Sequence, residues 1–73
     1  MIKLTTNEQR VYVNIITNVI PKLARGNYYA KDLFGTEPVN PRIVRRLYEE
    51  VINGSVARIS LVGTKSKDGY KVV

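Results

Sequence analysis

Three arginines, Arg42, Arg45 and Arg46, fall in one short stretch and are followed closely by Glu49, Glu50 and Asn53. A guanidinium is a planar fork of N–H donors, suited to bidentate pairing with phosphate oxygens or with guanine O6 and N7 in a major groove. A second basic feature is the stretch Gly63-Thr64-Lys65-Ser66-Lys67-Asp68-Gly69. Lysines at the tip of a hairpin rest on a phosphate backbone or reach a minor groove, and the intervening hydroxyls add neutral donors. The chemistry on offer is therefore anion binding. The commonest catalytic and metal-binding groups are missing, because there is no Cys and no His and hence no thiol nucleophile, imidazole base, disulfide framework or soft-ligand zinc site. Glu49 and Glu50 are adjacent, so on a helix they point about 100° apart and do not face one another across a substrate. Lys65-Ser66 after Gly63 lacks the Gly that precedes the Lys of a phosphate loop. Neither an enzyme nor a cofactor is expected.

The whole chain has 73 residues with 12 Lys plus Arg against 6 Asp plus Glu, a net charge of +6. Like charge on so small a surface opposes compaction, which points to a polyanionic partner. A 44% apolar content is too high for a disordered basic tail, so the charge belongs to a folded body. Met1-Ile2-Lys3-Leu4 turns polar at Thr5, which predicts neither a signal peptide nor a membrane span. The expected setting is the cytoplasm, with no membrane partner. This length leaves room for one domain, residues 1–73, burying only roughly 60% of its unfolded surface.

Positioning the basic groups requires particular elements. Val11, Tyr12, Ile15, Ile16, Val19 and Ile20 recur at helical spacing. Thr5 with Glu8, or Thr6 with Gln9, forms a capping box, so a first helix is predicted over about 6–20, ending or kinking at Pro21 with Gly26 beyond. An extended stretch at Asn27-Tyr28-Tyr29 and a short helix over 30–34, closed by Gly35, come next. Pro38 turns the chain. Asn40-Pro41 then supplies a cap oxygen and a preset dihedral for a third helix over about 41–53, stopped by Gly54. From residue 57 the period changes to two: Ala57, Ile59 and Leu61 alternate with Arg58, Ser60 and Val62, and Tyr70 and Val72 share a face, giving a hairpin over 57–73 with positive-φ glycines at both ends of its loop.

The third helix has Ile43, Val44, Leu47, Tyr48 and Val51 on one side and Arg42, Arg45, Arg46, Glu49 and Asn53 on the other. Its charges run against the macrodipole, which favours acids first and bases last by about 0.3–1 kcal/mol each. Two readings follow. Either an external polyanion meets the arginine end, or Arg45–Glu49 and Arg46–Glu50 are solvated i,i+4 ion pairs contributing about 0.2–0.5 kcal/mol each.

This element order, with Tyr28-Tyr29-Ala30-Lys31-Asp32-Leu33-Phe34, Asn40-Pro41-Arg42-Ile43-Val44-Arg45-Arg46-Leu47 and the hairpin Arg58–Val73, resembles the winged helix-turn-helix family of DNA-binding domains over about residues 5–73. The flavour is that of small phage or mobile-element regulators. The resemblance implies an α+β fold in the order α1-β1-α2-α3-β2-β3, double-stranded DNA as partner, and transcriptional control, with an architectural role in recombination or a protein-interaction adaptor as alternatives. It makes Arg42, Arg45, Arg46, Glu49 and Asn53 the groove-facing set. Arg42 and Arg46 go to guanine edges or phosphates, Asn53 to adenine or phosphate, and Glu49 to cytosine N4 or to orienting an arginine. Asn40 with the amides after it, and Lys31 at helix 2, become phosphate sites, and Lys65 and Lys67 the wing contacts. The turn between helices 2 and 3 is longer than the family's tight version, and Tyr29 stands where a Ser or Thr cap is expected. One helix reads few base pairs, so a homodimer through helix 1 or the N-terminal residues is expected.

Overall fold

The structure, a computed structural model, describes residues 3–63 and 68–73. It begins with a reciprocal cap. The Glu8 amide donates to Thr5 Oγ1 at 3.2 Å, and the Thr5 amide donates to Glu8 Oε1 at 2.9 Å, so Thr5 and not Thr6 starts α1 (Thr6–Asn14). The helical path runs on beyond Asn14, but not as regular α-helix. Ile15–Val19 form a π turn and Ile20–Lys22 a 3-10 turn, which corrects the expected α span of 6–20. The cause is local: Pro21 has no N–H to donate, and the Thr17 hydroxyl donates to the Val13 carbonyl at 2.6 Å, so the ladder widens and then tightens. The wide turn lets Tyr12, Ile15 and Ile20 all reach the core.

β1 (Gly26–Tyr28) leads into α2 (Ala30–Phe34). Tyr29 caps α2 without a hydroxyl acceptor at Cβ: its amide donates to Asp32 Oδ2 at 2.9 Å, so the third helical residue supplies the carboxylate half of a cap. α3 (Pro41–Ile52) starts where Asn40 Oδ1 accepts the Arg42 amide at 2.9 Å. It ends in a Schellman motif, with Ser55 N–H to Glu50 O at 2.9 Å and Gly54 N–H to Val51 O at 3.1 Å. Gly54 sits at φ 75°, the left-handed position glycine occupies without a Cβ penalty.

β2 (Ile59–Leu61) and β3 (Tyr70–Val72) pair antiparallel, and β1 pairs antiparallel with the other edge of β3, giving the order β1-β3-β2. In register, Tyr28 and Leu61 flank Tyr70, and Asn27 and Ser60 flank Lys71. Alternation therefore turns Tyr70 and Val72 inward and Lys71 outward. Ala57 lies before the strand, so the regular hairpin is shorter than the predicted 57–73. Only the distal glycine of its loop has positive φ: Gly69 is at 91°, and a Cβ there would stand 2.9 Å from the Tyr28 carbonyl oxygen. The core lies between this sheet and the helices. Ile20, Leu33, Ile43, Leu47, Tyr70 and Val72 are its least exposed members, with Phe34 beside them. Among the described residues no helix is long and apolar enough to cross a membrane.

Candidate nucleic-acid interface

α3 buries Ile43, Leu47 and Val51, and this stripe divides the remaining side chains into two flanks. One flank faces α1. There the Arg46 guanidinium lies 5.5 Å from the centroid of the Tyr12 ring, and its Nε is 3.5 Å from Glu50 Oε1. Both charged side chains are mostly covered, at 20% and 17% exposure. Burial raises the Tyr12 phenol above its ordinary pKa; Glu50 adds to this and Arg46 opposes it. Arg42 Nε lies 3.2 Å from Glu8, and Arg42 Nη2 donates to the Lys3 carbonyl.

Glu8 accounts for the reversed charges of α3. No acidic residue occupies the first turn of α3. The carboxylate comes instead from α1, since Glu8 Oε2 accepts from Asn40 Nδ2 at 3.1 Å while the same side chain holds Arg42. One carboxylate thus caps α1 and supplies negative charge beside the N-terminus of α3. The Thr5 amide, then Asn40 and Arg42, hold the Glu8 carboxyl below its ordinary 4.5, with burial opposing them. The folded state therefore binds this proton less readily than the unfolded chain, so the stabilisation is present above about pH 4.5 and is lost as pH falls through the folded value. Urea midpoints measured from pH 6 to pH 3 should fall more steeply for the wild type than for Glu8→Gln.

These partners revise the groove-facing set. Arg42 and Arg46 both have partners at the α1–α3 interface, though the Arg42 side chain stays 55% exposed and the Arg46 side chain only 20%. The Arg46–Glu50 pair forms as the ion-pair reading expected, whereas the Arg45 side chain makes no ion pair or hydrogen bond among the described residues. Asn40 is committed on both sides of its amide, and Glu8 already stands where a phosphate at the start of α3 was expected. Asp32 similarly occupies the Tyr29 amide at the start of α2. Glu49 is half-buried and Asn53 is exposed at the far end of α3. Lys65 and Lys67 lie outside the described residues.

The other flank of α3 opens onto a groove of about 800 Å³ shared with the start of α2. Lys31 and Arg45, both exposed, line it from opposite elements. Its walls are otherwise apolar, with Tyr29, Val39, Pro41, Val44 and Tyr48. Sequence reading named Lys31 and Arg45 but not the groove, because Val44 and Tyr48 share the apolar side of the wheel and were expected in the core. It also passed over Lys71, whose outward position follows from the inward Tyr70 and Val72. Among the described residues no cluster of acidic side chains could hold a metal ion. Comparison of the chain with protein-family models, with curated proteins and with solved structures gives no match.

Proposed function

We infer that this chain is a duplex DNA-binding domain of winged-helix type, acting in transcriptional control through the exposed side of α3. The observation that carries the reading is the placement of Lys31 and Arg45. They are cations from α2 and α3 set on one open face, with no carboxylate paired to either among the described residues. The topology supports it: β1, which leads into α2, pairs with β3 of the C-terminal hairpin and so joins α2 to that hairpin. In this reading Arg45 meets a guanine edge or phosphate, Lys31 a flanking phosphate, and Asn53 the far end of the site. Arg42 and Arg46 contribute to the field and hold α3 in place. Binding is by a homodimer, since a single short helix specifies too few base pairs on its own.

The test is a gel shift on random-sequence duplex at two or more salt concentrations. Lys31→Ala/Arg45→Ala should weaken binding by about tenfold to a hundredfold. The slope of log affinity on log salt should fall by about 2, roughly 0.9 per lost phosphate contact. Wild type that shows no salt-dependent binding, or a double variant that binds like wild type, removes the reading. Selection from a random pool then separates sequence readout from an architectural role.

A further inference from the structure

A DNA backbone explains the two cations of the α2–α3 groove but not its walls. Phosphates and sugars do not bury against Val39, Val44 and Pro41, whereas Tyr29 and Val39 stay 58% and 51% exposed. Two large apolar side chains left in solvent beside a concave apolar wall mark a surface that is covered in use. The groove follows one helix, and its volume of about 800 Å³ suits the i, i+4, i+7 anchors of a second helix laid along it. Charge selects the occupant. Lys31 and Arg45 are positive and unpaired among the described residues, and no acidic side chain lines the groove. A basic helix is repelled there and an acidic one attracted.

We propose that the α2–α3 groove docks an amphipathic helix of a partner protein, whose apolar side chains enter between Tyr29, Val39 and Val44 and whose carboxylates meet Lys31 and Arg45. The proposal goes beyond the DNA reading and stands without it. Where both hold, the acidic helix and DNA compete for the same two cations, and docking releases DNA.

The probe is a synthetic helix of about 18 residues, long enough to be helical, with Leu on one face and Glu flanking it; its control carries Lys in place of Glu. Amide spectra of the labelled full chain are recorded with each. The Glu peptide should shift the amides of residues 29–31, 39–40 and 42–48, and the Lys peptide should bind about tenfold more weakly. Val39→Asn, at an exposed loop position, should weaken the Glu peptide about fivefold while leaving salt-dependent duplex binding unchanged. Arg45→Glu, which sets one negative charge against Lys31, should remove most of the preference between the two peptides. The proposal is overturned if neither peptide shifts the groove amides, if both bind alike, or if the Glu peptide binds Val39→Asn as it binds wild type. Groove amides that respond to a duplex of about 20 base pairs and not to the peptide also overturn it while sustaining the DNA reading. Peptide binding without duplex binding does the reverse.

Discussion

Replacing Arg58 by Ala should lower the stability of the fold by about 2 kcal/mol, although this side chain belongs to an exposed residue and pairs with no acidic side chain among the described residues. Its guanidinium donates to three backbone carbonyls: Val73 O at 3.0 Å from Nε, Pro21 O at 2.6 Å from Nη1 and Leu23 O at 3.1 Å from Nη2. Its own carbonyl accepts the Val73 amide at 2.8 Å. One fork therefore ties the 3-10 end of the first helical segment to the end of β3. Pro21 and Leu23 lie where a helix has run out of amide donors, so these carbonyls depend on a side chain. A charged donor contributes more than a neutral one, and partial solvation keeps three such bonds near the lower end of their range. For a domain of this size a loss of about 2 kcal/mol corresponds to a Tm lower by roughly 8–16 °C. Arg58 is also held at φ 69°, which costs a non-glycine residue about 1 kcal/mol. Arg58→Gly loses the same three bonds but relieves that strain, so it should be more stable than Arg58→Ala by about 1 kcal/mol. Arg58→Lys should fall nearer to Ala than to wild type, because a single ammonium does not span three acceptors held by a planar fork. Thermal unfolding of the three variants checks the order, and an Ala variant as stable as wild type contradicts the assignment.

The second large effect is expected at alkaline pH. Tyr70 is fully buried at the centre of the sheet, and its hydroxyl has no hydrogen-bond partner among the described residues. Desolvation, with a smaller contribution from Tyr48, pushes its pKa from 10.0 up to about 12. The unfolded chain releases this proton near pH 10 and the folded chain does not. The folded state thus holds more protons between pH 10 and 12, and stability falls across that window, by an amount on the order of 2 kcal/mol. Below pH 10 the contribution is intact. Tyr70→Phe removes the titration and also a desolvated hydroxyl, so at pH 7 it should be equal to wild type or more stable by about 1 kcal/mol. Urea midpoints at pH 9, 10, 11 and 12 should then decline less for the variant than for wild type. The two proteins differ only at this hydroxyl, so the rest of the chain cancels in the comparison.

Much of the backbone was legible before any fold was known. The Thr5–Glu8 cap, the Asn40-Pro41 start, the Gly54 stop and the period-two hairpin all rest on hydrogen bonds or alternation within a few residues. The short helix at 30–34 formed despite its Tyr cap, since Asp32 supplies the missing half from inside the helix. The first helical segment turns at Pro21 as its sequence predicts, but its last two turns are π and 3-10 and not α. Apolar periodicity through Ile20 looks the same for an α-helix and for one that widens by a residue, and the response of the ladder to Pro21 depends on what the core accepts. The pairing of β1 with β3 left no trace in either segment, because three residues with mixed side chains carry no register of their own.

The candidate site was legible in residue type but not in allegiance. Arg42, Arg45 and Arg46 look equivalent along the chain, yet Arg42 is held by Glu8, thirty-four residues away, Arg46 by Tyr12 and Glu50, and Arg45 by neither. By itself the sequence determined the capped helices, the hairpin and a surplus of six positive charges. The tertiary structure alone decided which cations satisfy acceptors of the fold and which do not. Caps and periodicity act over one turn of chain, whereas a guanidinium takes whichever carboxylate or carbonyl packing brings within about 3 Å of it.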